Sequence, residues 1–211
     1  PQGFGYLYPT YGGLHPWLVA RGNEEWDSKL HLERFATSLL DQTDPQGLRW
    51  LGVRLATQLS REQYKDLAVE IDWQTLTGSN VLRTVVRVCN LQGAAQRVIA
   101  GHGLYGALGA SPTALTLLGE GIQRRPSNCS SRNQRQAWGA LLNQQTGRTM
   151  LLVSPDDDVI LEDAGQWGRL LRAERELRMA AHEVHEVVSY AVLTDSPAAA
   201  QGYRALKELA R

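Results

Sequence analysis

Between Ser60 and Ala100 the apolar residues recur at spacings that fit short amphipathic helices, and no other stretch constrains the fold as tightly. Ser60 and Gln63 read as an S-x-x-Q capping box ahead of Tyr64, Leu67, Ala68 and Ile71. The segment Asp72-Trp73-Gln74-Thr75-Leu76-Thr77-Gly78-Ser79 interrupts the pattern, and Leu82, Val85, Val86 and Cys89 resume it at i, i+3, i+4 and i+7. Asn90-Leu91-Gln92-Gly93 ends that segment, and Ala94, Ala95, Val98 and Ile99 supply one more apolar edge. The reading is three short helices with Tyr64, Leu67, Leu82, Val85, Val86, Cys89 and Val98 buried together. No catalytic residue pattern lies inside this stretch, which favours a partner-binding bundle over an enzyme.

The flanking sequence extends the same picture. Residues 1–20 form an extended aromatic arm, in which Phe4, Tyr6, Tyr8, Tyr11 and Trp17 stand among glycines and prolines. From Glu24 the pattern turns helical: Leu32, Phe35, Ala36, Leu39 and Leu40 share a face, and Thr43-Asp44-Pro45 reads as a helix start. A helical bundle over residues 24–118 follows, then an arginine-rich loop over 119–136. Residues 137–211 read as a C-terminal helical region. Its opening, on either side of Thr146-Gly147, fits either a β-hairpin near 140–153 or a helix end followed by a buried strand. Ser154-Pro155-Asp156-Asp157-Asp158 resembles a helix start. Leu170, Leu177, Val184 and Ala191 then repeat every seven residues, which predicts one long helix over 161–193. Asp195-Ser196-Pro197 opens a short terminal helix. The fold class expected is therefore mainly α, a multi-helix bundle with an aromatic arm and a long C-terminal helix.

Composition sets the outer bounds. The chain has 211 residues, 43% of them hydrophobic and 21% charged, as in ordinary globular proteins. Its formal net charge is zero, so it lacks the overall basic field of a generic nucleic-acid binder. Nineteen arginines stand against three lysines, Lys29, Lys65 and Lys207, a bias that GC-rich coding alone produces. Cys89 and Cys129 give neither a disulfide framework nor a zinc set. No apolar run approaches the roughly 18–20 residues of a membrane span. No secretory signal is visible, and cytoplasmic residence is the default expectation.

Few constellations invite chemistry. His182 and His185 stand three apart and would share a helix face, with Glu186 alongside, as two ligands of a metal-dependent enzyme. The protease spacing H-E-x-x-H is absent. Arg124, Arg125, Arg132 and Arg135 lie among Ser, Asn and Gln, a set that would grip phosphates, and Trp138 would stack on bases. Tyr6, Tyr8 and Tyr11 of the arm, with Leu170, Leu177 and Val184 of the long helix, are the candidate oligomer interface. No cofactor is implied.

The stretch Leu59-Ser60-Arg61-Glu62-Gln63-Tyr64-Lys65-Asp66-Leu67-Ala68, the turn Asp72-Trp73-Gln74-Thr75-Leu76-Thr77-Gly78, then Arg83-Thr84-Val85-Val86 and Gly93-Ala94-Ala95, resembles the bacterial effector-associated, death-like adaptor domains. In that family an arginine and a leucine stand where this chain has Ala94 and Ala95. The resemblance covers residues 59–98 and implies a death-like bundle that recruits an effector. The expectation is a non-enzymatic interaction and assembly protein, homo-oligomeric or with a protein partner and off the membrane. The alternatives are a nucleocapsid-like self-assembling subunit that binds nucleic acid, and a metal-dependent enzyme.

Overall fold

The computed structural model describes residues 14–20, 30–105, 108, 114–119, 135–163 and 169–210. Among these residues the chain is mostly β, with a single short α-helix. Its strands are β1 (Leu14–Ala20), β2 (Ala36–Thr43), β3 (Arg49–Gln58), β4 (Leu67–Leu76), β5 (Val81–Asn90) and β6 (Gln96–Tyr105). They continue as β7 (Thr116–Gly119), β8 (Trp138–Leu142), β9 (Thr149–Val153), β10 (Val159–Asp163), β11 (Arg169–Met179) and β12 (Val184–Thr194). One α-helix, α1 (Pro197–Gly202), and a 3-10 helix over Tyr203–Ala210 follow. No helix among the described residues is long and apolar enough to cross a membrane.

The mainly α reading, and with it the death-like bundle over 24–118, is overturned. In β4, Leu67, Val69 and Ile71 alternate with Ala68, Glu70, Asp72 and Gln74, a period of two rather than 3.6. In β5, Val81, Thr84, Val85, Val86 and Val88 put β-branched side chains on both faces, which favours strand over helix. A strand apolar on both faces always contains an i, i+3, i+4, i+7 subset, and that subset mimicked a helix.

The long helix over 161–193 is replaced by the end of β10 and by β11 and β12, the last two joined through Ala180–Glu183, where His182 takes a left-handed φ of 60°. Its seven-residue repeat marks no common face: Leu170 and Leu177 are buried while Val184 is 57% exposed. Two of the expected helix starts are hairpin or linking turns. Asp44 accepts from the amides of Gln46 at 3.0 Å and Leu48 at 2.8 Å, closing the β2–β3 hairpin. Ser154–Asp158 links β9 to β10, with Asp157 at φ 58°. Of the two alternatives left open near 140–153, the structure takes the hairpin, pairing Leu142 with Thr149 and Trp138 with Val153. The terminal helix begins where its Ser-Pro signal lies, with Ser196 Oγ accepting from the amides of Ala198 at 3.2 Å and Ala199 at 3.3 Å.

The chain divides into two compact units. The first comprises Pro16–His102 and Glu174–Val188, and the second Pro1–His15, Gly103–Ala173 and Ser189–Arg211. In the first unit the strands run in the order β2-β3-β4-β5-β12, with β1-β6-β11 as the other sheet. Leu67, Val69 and Ile71 of β4, Val86 and Val88 of β5 and Val187 of β12 pack against Val98 and Ala100 of β6 and Leu177 and Met179 of β11. Two sheets closed face to face on an apolar core make a sandwich. Of the expected core set, Tyr64, Leu67, Val86 and Val98 share this cluster. Val85 and Cys89 stand on the opposite face of β5, and Leu82 is only half-buried. In the second unit the orders are β12-β9-β8-β7 and β11-β10. Leu141, Leu151, Leu161 and Leu171 are fully buried there.

Candidate functional site

The alternation that sends Leu67, Val69 and Ile71 of β4 into the core of the first unit sends Ala68, Glu70, Asp72 and Gln74 to the other face. Antiparallel register then sets Arg54 of β3 and Val85 of β5 beside Asp72, and Arg87 beside Glu70. Opposite charges thus stand on neighbouring strands, where cross-strand pairs stabilise a sheet.

Asp72 is the centre of this face. It is 1% exposed and holds two arginines. Arg54 grips it bidentately, Nε donating to Oδ1 at 2.7 Å and Nη2 to Oδ2 at 2.8 Å. Arg87 Nη1 donates to Oδ2 at 2.6 Å. Glu70 lies more loosely between them, its Oε2 at 3.6 Å from Arg54 and 3.8 Å from Arg87. Arg87 Nε also reaches Glu186 of β12 at 3.3 Å. Burial works to raise the Asp72 pKa, but the hydrogen bonds from Arg54 and Arg87 and their charges outweigh it, so the carboxyl stays below the usual range. The Arg54 guanidinium is raised in turn, chiefly by its hydrogen bonds to Asp72. Asp72 is therefore a fixed anion near neutrality, poorly matched to general acid or base work. Glu70 and Glu186 are 42% and 52% exposed and keep acceptor capacity.

Nearer the β2–β3 turn the face changes character. Trp50 is buried, and its indole N–H donates to Asp44 Oδ2 at 2.9 Å. Burial opposes ionisation of Asp44, while the Trp50 bond and the backbone amides favour it and leave its pKa lowered. Arg83 lies over the Trp50 ring with Cζ 5.7 Å from the centroid, a cation–π contact. Gln74 Nε2 donates to Gln42 Oε1 at 3.0 Å. Gly52 sits between Trp50 and Arg54 on β3, where a Cβ would lie 1.9 Å from the Trp73 carbonyl oxygen. Only glycine fits that approach of β3 to β4.

The residues singled out by sequence fall elsewhere. Tyr6, Tyr8, Tyr11, Arg124, Arg125, Arg132 and Cys129 lie outside the described residues. Arg135 pairs with Asp158 at 2.8 Å, and Arg204 lies over the Trp138 ring at 5.4 Å, so both have protein partners. Leu170 and Leu177 are in the sheets rather than on a helix surface. His182 sits in the β11–β12 turn and His185 on β12, 2.9 Å from Glu183 Oε1, so the shared helix face does not exist. Among the described residues no group of three His, Cys, Asp or Glu side chains is placed to hold a metal ion. Sequence reasoning passed over Arg54, Glu70, Asp72 and Arg87. Their signal was the strict alternation Val69-Glu70-Ile71-Asp72-Trp73-Gln74, with Arg83-Thr84-Val85-Val86-Arg87 behind it.

No protein-family model and no curated protein matches the chain. Solved structures do. An α-N-acetylgalactosaminidase of Bifidobacterium bifidum superposes with TM-score 0.60 at 14% identity, over 95% of this chain and 34% of that enzyme. A galactose mutarotase-like protein of Clostridium acetobutylicum gives 0.55 at 7% identity, over 89% of this chain and 80% of its own. A Klebsiella pneumoniae protein named for aldose 1-epimerase gives 0.53 at 8% identity, over 81% of this chain and 57% of its own. The chain thus spans about a third of the glycosidase's length. At these identities the likeness is one of fold: a sheet-rich sandwich resembling those structures, not a death-like adaptor domain. Recruitment or assembly through a helical bundle loses its basis with the bundle.

Proposed function

We propose that this chain is a saccharide-binding β-sandwich whose ligand lies on the Arg54–Asp72–Arg87 face. The carrying observation is the fully buried Asp72 locked between two arginines, with half-exposed Glu70 and Glu186 at their edge. Such an array offers what a polyhydroxyl ring needs. The carboxylates accept from hydroxyls, the guanidinium edges donate to them, and a fixed framework loses little entropy on binding. The sugar-active proteins that share the fold support this reading.

Binding is favoured over catalysis. Opening or epimerising a sugar ring needs a group able to exchange a proton near neutral pH. Asp72 and Asp44, the carboxylates of the face held by several hydrogen bonds, are both kept ionised. The test is calorimetric titration with D-galactose and N-acetyl-D-galactosamine, beside polarimetry of freshly dissolved α-D-galactose. Saturable binding is expected, weakened at least about fivefold in Arg87→Ala, with no acceleration of the anomeric equilibration. Acceleration by the wild-type chain would replace the binding role with an enzymatic one.

A further inference from the structure

Arg83 differs from the other two arginines of this face. Arg54 and Arg87 direct their guanidinium groups to Asp72, Glu70 and Glu186. Arg83 is half-buried on β5, in register with Gln74, and its Nε is buried without a hydrogen-bond partner. Its close contact is the face of Trp50. Asp44 has an electrostatic hold on it, but the Asp44 oxygens already accept from the Trp50 indole and two backbone amides. A buried donor left unmatched is costly and calls for an explanation.

We infer that Arg83 is an anion subsite for the carboxylate of an acidic saccharide, resting on the saccharide-binding reading of the same face. The planar fork, set over the indole, suits the two coplanar oxygens of a carboxylate, which it can bind bidentately. The Gln42–Gln74 amide pair beside it suits the neighbouring hydroxyls. Arg83 and Arg87 stand four residues apart on one face of β5, on the order of 13 Å. That exceeds one sugar ring, so the ligand is an acidic oligosaccharide: a uronic acid unit on Arg83 and the next units along Asp72, Glu70 and Arg87.

The test is calorimetric titration of the full chain with digalacturonate, its methyl diester and neutral galactobiose, with galactose 6-phosphate and inorganic phosphate as further arms. The free acid is expected to bind about tenfold tighter than the diester. Arg83→Gln should bring the two to parity. Arg83→Lys keeps the charge without the fork, so it should lose most of the preference, and it serves if Arg83→Gln does not fold. Equal binding of acid and diester by the wild-type chain, or a preference that survives in both variants, overturns the subsite but leaves the saccharide face standing. Displacement of the acid by phosphate or galactose 6-phosphate at equal concentration overturns the carboxylate assignment. Binding of none of the three saccharides sinks the face itself, and the subsite with it.

Discussion

The two faces of the β3–β4–β5 sheet are built from alternate residues of the same strands, yet they solve opposite problems. On one face Leu67, Val69, Ile71, Val86 and Val88 join a dry core with β6 and β11. On the other, Asp72 is buried as deeply as Ile71 but is held by three charge-assisted hydrogen bonds. The apolar face is non-directional and tolerates only apolar replacements. The polar face is directional: each group is stable only while its partners remain. Burial alone therefore does not tell core from site; the partner set does.

The sharpest way to break this comparison is to put a charge on the wrong face. Val86→Asp buries an unpaired carboxylate among Ile71, Val88 and Val98 and should cost about 4 kcal/mol or more, enough to abolish the cooperative melt. A Val86→Asp chain that melts normally by circular dichroism would put Val86 on the wrong face. Next in size is Gly52→Ala. Its Cβ would overlap the Trp73 carbonyl oxygen at 1.9 Å, so β3 must part from β4, at about 1–3 kcal/mol. Amide exchange should quicken along Gly52–Arg54 and Trp73–Gln74 in that variant while staying slow in β8 and β9.

Asp72→Asn probes the directional face. It keeps the shape but removes the charge shared by Arg54 and Arg87, which are about a quarter exposed, so solvent recovers part of the loss. The expected cost is about 2 kcal/mol, read from denaturant midpoints at pH 7. The pH dependence follows by sign. A carboxyl whose folded pKa is depressed adds stability above its unfolded pKa and loses it as pH falls through the folded value. The wild-type midpoint temperature should drop between about pH 4 and pH 2, and Asp72→Asn should flatten that drop in part. Asp41, Asp44 and Glu183 are lowered as well and remain in the variant, so some slope persists. An unchanged acid slope would show that Asp72 titrates alike in folded and unfolded chains.

The turns explain why so little of this architecture could be read in advance. The hairpins β2–β3, β4–β5 and β8–β9 turn on Gly47, Gly78 and Gly147, all at positive φ, and each glycine is visible in sequence. The links β9–β10 and β11–β12 place Asp157 and His182 there instead. Ala180-Ala181-His182-Glu183 holds no glycine, proline or asparagine, so β11 and β12 ran together into one apparent helix. The turn is held by Glu183, whose Oε2 accepts from the Ala180 amide at 2.6 Å, a contact no spacing rule announces. The site was hidden for a related reason. Arg54 lies eighteen residues from Asp72 and fifteen separate Asp72 from Arg87, and only strand register brings them together. What was legible was local: the Ser196 cap, and a hairpin left as one of two readings around Thr146-Gly147.

The smallest expected effect on stability sharpens the comparison most, because it separates holding the fold from holding a ligand. Glu186 meets Arg87 at 3.3 Å with half its side chain exposed, and such pairs add about 0–1 kcal/mol. Glu186→Gln should leave the denaturant midpoint within error of wild type. On a face that serves only structure, nothing else would change. On a saccharide-binding face the same variant removes an ionised acceptor at the rim, worth about fivefold in affinity for a single hydrogen bond to a hydroxyl. Adding salt should leave that ratio in place, since a neutral sugar releases no counterions, whereas the Arg87–Glu186 attraction is screened. Titrating wild type and Glu186→Gln with galactose at low and high salt reads both quantities together. If affinity stays equal while stability also stays equal, Glu186 belongs to the solvent, and the ligand-facing rim contracts to Glu70 and Arg87.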